Sequence, residues 1–208
     1  LLLLPFYWFL TPRSRSASLT KVQAILSDSR PSQPSNWTIQ FVTPSGVSAN
    51  QTIVLDFDTT GPTVDEFNLG SITVNDIDLK EDTTAPINDC NGFSDETLGT
   101  TQGASTWGVS INTTTDTITF TAPSTSGSYI AAGACVQILI GTNATFQATG
   151  TNQIVNDAHD NAATTADVND VTISGSFGDT GVALVATISG VQVTASVAPS
   201  LSFTISSP

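Results

Sequence analysis

The sequence predicts an all-β protein, an antiparallel β-sandwich with extended terminal segments. Three observations point there. Short runs of alternating apolar and polar residues recur roughly every ten to fifteen residues, the pattern of strands with one face in a core. Gly, Pro and Asn clusters punctuate these runs as turns. No stretch of ten or more residues carries a firm helical repeat. A chain of 208 residues is long enough for one large β domain and removes about 70% of its unfolded surface from water.

The elements follow in order. Leu1–Leu10 is an apolar run, LLLLPFYWFL, followed by Arg13 and Arg15. It is shorter than the roughly 20 apolar residues a membrane-spanning helix needs. It fits the apolar region of a secretory signal cleaved after Ser16. Retained, it becomes an assembling arm or an interfacial plug built on Leu1, Leu2, Leu3, Leu4, Phe6, Tyr7, Trp8 and Phe9, with Pro5 opposing a helix. Ser18–Ser29 places Leu19, Val22, Ile25 and Leu26 on one helical face, yet reads equally as a strand. Thr38–Thr43 alternates and ends at a Pro-Ser-Gly turn, and Gln51–Phe57 puts Ile53, Leu55 and Phe57 on one face. Ser71–Leu79 reads as one strand through Ile72, Val74, Ile77 and Leu79. Trp107, Val109 and Ile111 form the next face, and Asn112–Thr115 turns it into Thr117–Thr121 with Ile118 and Phe120 inward. Ala134–Gly141 is the most apolar run and is expected at a sheet centre. Val171–Ser176 and Val182–Ile188 flank a hairpin loop at Gly175–Gly181, and Val191–Val197 follows. Residues 59–70 and 80–105 read as long polar connections. Leu201, Phe203 and Ile205 alternate with polar residues after Pro199, as in a strand donated to a neighbouring subunit. The expected organisation is an arm or signal remnant at 1–17, a body at 18–197, immunoglobulin-like or jelly-roll-like, and a terminal strand at 198–208.

Composition narrows the function. Charged residues are only 11% while apolar ones are 39%, so the surface is wetted by hydroxyls and amides rather than ions. Beyond Arg30 the only basic residue is Lys80, against 17 acids, giving this part a formal charge of −16. Phosphate backbones require clustered Lys and Arg, which argues against a nucleic-acid partner. Membrane contact is expected only through the apolar amino-terminal segment. Two cysteines, Cys90 and Cys135, without a CxxC and with one histidine, favour a disulfide in an oxidising compartment over a zinc site.

Few motifs carry chemistry. Asp76, Asp78 and Asp82 lie in an acid-rich stretch and are weak calcium candidates, alternatively solvated strand ends and loops, and no other cofactor is expected. His159 sits beside Asp160 with no credible nucleophile. Glu66, Glu81 and Glu96 all fall in loop-like stretches, which makes a catalytic carboxylate pair a poor reading and a non-enzyme the expectation. Asn36, Asn50, Asn112 and Asn143 each head an N-x-S/T sequon. Trp37, Trp107 and Tyr129 are candidates for a sugar-stacking platform, with Trp107 better placed in the core.

Three stretches, residues 26–41, 118–144 and 173–197, carry a resemblance. Their turns and strand faces resemble those of uncharacterised secreted β-sandwich surface proteins of candidate-phylum bacteria. The resemblance implies an exported β-sandwich module, often the first of several, at the bacterial surface, and it transfers no catalytic residue. The expected function is a non-catalytic extracellular structural protein, a filament or surface-layer subunit that self-associates into a homopolymer by strand exchange. The rival is a monomeric adhesin or carbohydrate-binding domain.

Overall fold

The computed structural model describes residues 17–57, 67–158 and 166–189. Alternation becomes strands: β1 Thr20–Leu26, β2 Pro34–Ser35, β3 Trp37–Val42, β4 Val47–Ser48, β5 Thr52–Asp56, β6 Ile77–Asp82, β7 Phe93–Asp95 and β8 Leu98–Gly99. They continue as β9 Trp107–Asn112, β10 Thr117–Thr121, β11 Ser128–Ile130, β12 Cys135–Ile140, β13 Ile154–Val155, β14 Ala166–Ser174 and β15 Gly181–Ile188.

Two main sheets result, in strand orders β1-β3-β12-β6-β7 and β15-β14-β5-β10-β9-β8. The pairs β4–β11 and β2–β13 form two small ladders beside them. Pairing is antiparallel except where β8 meets β9. One apolar core fills the space between the sheets. Trp37, Ile39 and Phe41 of β3 and Val136, Ile138 and Ile140 of β12 enter it from one side. Ile53 and Leu55 of β5, with Ile118 and Phe120 of β10, enter from the other. Trp37 bridges the layers, meeting Phe57 edge-on at 5.4 Å and Phe67 at 4.6 Å. β12 is central in its sheet, as its apolar sequence predicts.

The Ser18–Ser29 segment resolves as a strand. Its candidate helical face is split, since Leu19, Val22 and Leu26 pack on the core while Ile25 is 54% exposed. Pairing with the edge of β3 decides the matter. Ser71–Leu79 is not one strand. A 3-10 turn at Val74–Asp76 interrupts it, and the strand begins at Ile77. The Asp76 carboxylate accepts bonds from the Thr73 amide (2.9 Å) and hydroxyl (2.8 Å), a capping arrangement that stabilises the turn. Residues 80–105 are likewise not a plain connection, because β7 and β8 lie within them and Glu81 belongs to β6. Strands of two or three residues have no period to detect and exist only because a neighbouring strand pairs with them.

At the β14–β15 hairpin, Gly175 has φ +141, and a Cβ there would lie 2.1 Å from the Thr52 carbonyl oxygen. Only glycine lets the hairpin loop close against β5. No helix among the described residues is long and apolar enough to cross a membrane.

Candidate functional site: carboxylate-tied loops and an exposed β-ribbon face

Among the described residues five acids are buried, Asp76, Asp78, Asp82, Asp157 and Asp179, and four of them accept bonds that tie loops. Asp76 is 1% exposed. Besides Thr73, its carboxylate accepts bonds from the Thr151 amide (2.7 Å), the Asn152 amide (2.9 Å) and the Asn152 side chain (3.0 Å). Burial pushes its pKa up, but the donors of Asn152, Thr151 and Thr73 outweigh it and hold the value at about 2. Asp78 accepts the amides of Thr145 (2.8 Å) and Phe146 (3.2 Å). Asp82 accepts those of Thr84 (3.1 Å) and Asn91 (3.0 Å). Asp179, in the β14–β15 loop, takes the hydroxyls of Thr43 and Ser45, each at 2.6 Å, and the Ser45 amide at 2.9 Å.

These acids tie loops together. The reading of Asp76, Asp78 and Asp82 as solvated strand ends and loops is therefore corrected, since all three are buried. Their oxygens face N–H and O–H donors of separate loops, whereas calcium needs six to eight converging oxygen ligands. Among the described residues no three His, Cys, Asp or Glu side chains group as a metal site.

Cys90 and Cys135 are joined across 45 residues, with Cα atoms 5.2 Å apart. The bond pins the loop after β6 to the outer face of β12, and the Cys135 amide donates to the Ile87 carbonyl at 2.7 Å. Nearby, Glu81 accepts the Ala131 amide (2.6 Å) and Glu96 accepts the Trp107 indole N–H (3.1 Å). Burial pushes the pKa of each up, and like charge adds to it: Asp82 acts on Glu81, and Glu81 on Glu96. Each carboxylate already faces a structural donor, which is a packing arrangement rather than an acid and base arrayed about a cleft.

Among the described residues the exposed large apolar side chains concentrate at β14 and β15. β5 pairs with β14 only at Thr172–Ser174, whereas β15 pairs with β14 along its whole length. β14 and β15 therefore continue as a two-stranded ribbon past the end of β5, with β1 packed beside β15. Its outer face carries Val168 (66% exposed) opposite Ala186, and Leu184 (72%) opposite Asp170. Val182 and Ile188, also exposed, extend it. Its inner face buries Val171, Ile173, Ala183 and Val185 in the core.

No protein-family model matches the chain, and a comparison with curated proteins finds no match. Solved structures are similar at low identity. One is a crystal structure of the group B streptococcus pilus 2b backbone protein, 14% identical with a TM-score of 0.39, covering 73% of this chain and 51% of that one. Another is the C-terminal domain of the Streptococcus pyogenes antigen I/II-family protein AspA, 10% identical with a TM-score of 0.42, covering 81% and 46%. A third is the collagen-binding domain of a Staphylococcus aureus adhesin, 12% identical with a TM-score of 0.33, covering 78% and 95%. The chain spans about half the length of the first two.

The remaining sequence candidates divide. The aromatic platform does not form. Trp37 and Trp107 are wholly buried, and Tyr129 stands edge-on to Trp107 with its hydroxyl on the Thr125 and Ala104 carbonyls. Trp37 is drawn inward because it heads β3 with its even-spaced partners in the core. Of the sequons, Asn50 and Asn112 are exposed. Asn36 is half-buried, and its side-chain oxygen accepts bonds from Thr142 and Gln153. Asn143 donates its side-chain nitrogen, the atom a glycan would need, to the Trp37 carbonyl at 3.1 Å. A shallow polar groove runs between Asn68, Ser71, Asn152 and Gln153. Leu1 to Phe9, His159, Leu201, Phe203 and Ile205 lie outside the described residues. Asp179 was not singled out from the sequence, because a lone acid in a Gly-rich loop looks like ordinary turn chemistry.

Proposed function

We propose that the chain is a non-catalytic extracellular structural protein, a subunit of a filament or surface layer whose copies join through exchanged apolar segments. The observation that supports this most is the outer face of the β14–β15 ribbon. Val168, Val182, Leu184 and Ile188 gather there, while among the described residues only Ile25 and Phe146 are large exposed apolar side chains elsewhere. Concentrated exposed apolar surface of this kind marks interaction sites. A disulfide suits an oxidising compartment, in keeping with a place outside the cytoplasm at the bacterial surface. The carboxylates tie loops to sheets, as in a load-resistant module. Strand or arm exchange would cover exposed sheet without covalent links.

Negative-stain electron microscopy of the full chain tests the reading. Ordered filaments or lattices are the expected outcome. Discrete particles at every concentration would remove it.

A second reading rests on the polar groove beside Asn68 and Gln153. Its amide and hydroxyl lining suits a neutral sugar, which would make the chain a monomeric carbohydrate-binding adhesin. Binding on a glycan array by discrete particles would favour it.

A further inference from the structure

We infer that the outer face of the β14–β15 ribbon is the acceptor for the apolar arm, Leu1–Leu10, of a neighbouring copy. This rests on the assembling role above and names the surface it would use.

Four observations converge. First, four of the six large apolar side chains exposed among the described residues, Val168, Val182, Leu184 and Ile188, lie on this ribbon. The cross-strand pairs Val168 with Ala186, Asp170 with Leu184 and Thr172 with Val182 share one face, so the apolar groups form a stripe.

Second, β1 runs beside the far edge of β15 and is bonded to it at both ends, so an occupant reaches this ribbon through its exposed face. Thr180 donates to Ala17 and accepts from Leu19, and the Ile188 amide donates to Ser29, away from β14.

Third, charge selects the occupant. A second ribbon packed face to face would set Asp170 near its own copy, on bodies that each carry a formal −16 beyond Arg30. The arm instead is apolar for ten residues and is followed by Arg13 and Arg15. Apolar side chains would meet the stripe and the arginines its acidic surroundings.

Fourth, chain direction favours a neighbour's arm over the chain's own. Ser18 bridges Thr180 in parallel. At Ala17 the chain is therefore directed, read backward, toward Asp179 and away from Leu184 and Ile188.

The test uses the full chain in sedimentation velocity, with three perturbations. Leu184→Asp places a charge on the stripe at a site whose exposure spares the core. Val168→Thr keeps the shape and removes only apolar surface, which covers the case in which Leu184→Asp misfolds. A synthetic peptide of residues 1–16 serves as a competing arm. Wild type is expected to associate. Leu184→Asp should weaken association at least about tenfold and Val168→Thr about threefold, in line with the transfer free energy of the side chains removed. Excess peptide should dissociate the wild-type assembly and leave monomeric Leu184→Asp unbound. Association of wild type that survives both substitutions and the peptide would overturn the acceptor assignment while leaving assembly standing. A monomeric wild type would overturn both readings. Intact mass adds a direct check, since a mature chain beginning after Ser16 overturns the arm as donor.

Discussion

Replacing Asp179 by alanine removes one carboxylate and strands three donors at once: the Thr43 and Ser45 hydroxyls and the Ser45 amide. Hydrogen bonds to a charged group are worth about 1.5–3 kcal/mol each to lose when the partner stays buried. Asp179→Ala is expected to lower unfolding stability by about 3 kcal/mol in urea denaturation, and a loss under 1 kcal/mol would contradict the tie. Asp76 gives a pH signature. Its folded pKa of about 2 lies below its ordinary 3.8, so its contribution is present above pH 4 and is lost as pH falls toward 2. The contribution is on the order of 2 kcal/mol. Glu81 and Glu96 act in the opposite sense. Burial and like charge raise their pKa values, so they cost stability at neutral pH, and that cost is relieved as they protonate. Stability should therefore rise slightly as pH falls below neutral and then drop between pH 4 and 2. Glu96→Gln retains an oxygen for the Trp107 indole and should flatten the first limb, measured by midpoint against pH. An unchanged slope would discount the pair. None of these roles was legible in the sequence. Asp76, Asp78 and Asp82 were visible as an acid cluster, but whether a carboxylate meets water, a cation or an amide depends on chain segments up to 76 residues away.

At the scale of elements, the long strands were readable because burial of one face imposes period two over five or more residues. β3, β5, β9, β10, β12 and β15 all declared themselves this way. β7 and β8 did not, since each is too short to carry a period. Ser71–Leu79 misled because Ile72 and Val74, and then Ile77 and Leu79, each keep strand spacing, while the three-residue step between the pairs is the 3-10 turn that Thr73 and Asp76 cap. The disulfide ties one of these ambiguous connections to β12. Closing a loop of 45 residues is worth about 4 kcal/mol in the chain-entropy account, with measured effects usually about 2–4. A Cys90→Ser, Cys135→Ser double variant should lose stability in that range in urea, and no loss would mean that the loop is held by its hydrogen bonds alone. Gly175→Ala forces a Cβ against the Thr52 carbonyl at a positive φ. It should destabilise the hairpin by more than 1 kcal/mol, seen as faster hydrogen exchange along β14 and β15.

For the whole molecule, the two sheets share one core, yet the β14–β15 ribbon extends past it and keeps an apolar outer face. That asymmetry connects fold to proposed role. The full chain should form ordered assemblies that dissolve on Leu184→Asp while the isolated fold still melts cooperatively, as followed by circular dichroism. Coincident loss of assembly and melting would show that the substitution acts on the fold instead.

The sequence by itself determined the all-β class, the main strand faces, the centrality of β12 and the acidic, hydroxyl-rich surface. Each follows from local periodicity or composition, which a linear reading can measure. Only the tertiary structure decided that Trp37 joins Trp107 in the core rather than forming a platform, that five acids are buried, and that Val168 and Leu184 remain outside. The alternation of β15 is the same on both faces, Val182 and Leu184 against Ala183 and Val185. Nothing local distinguishes a strand face covered by a second sheet from one left open. That difference is set by which elements pack over each face, a property of the tertiary arrangement rather than of either strand.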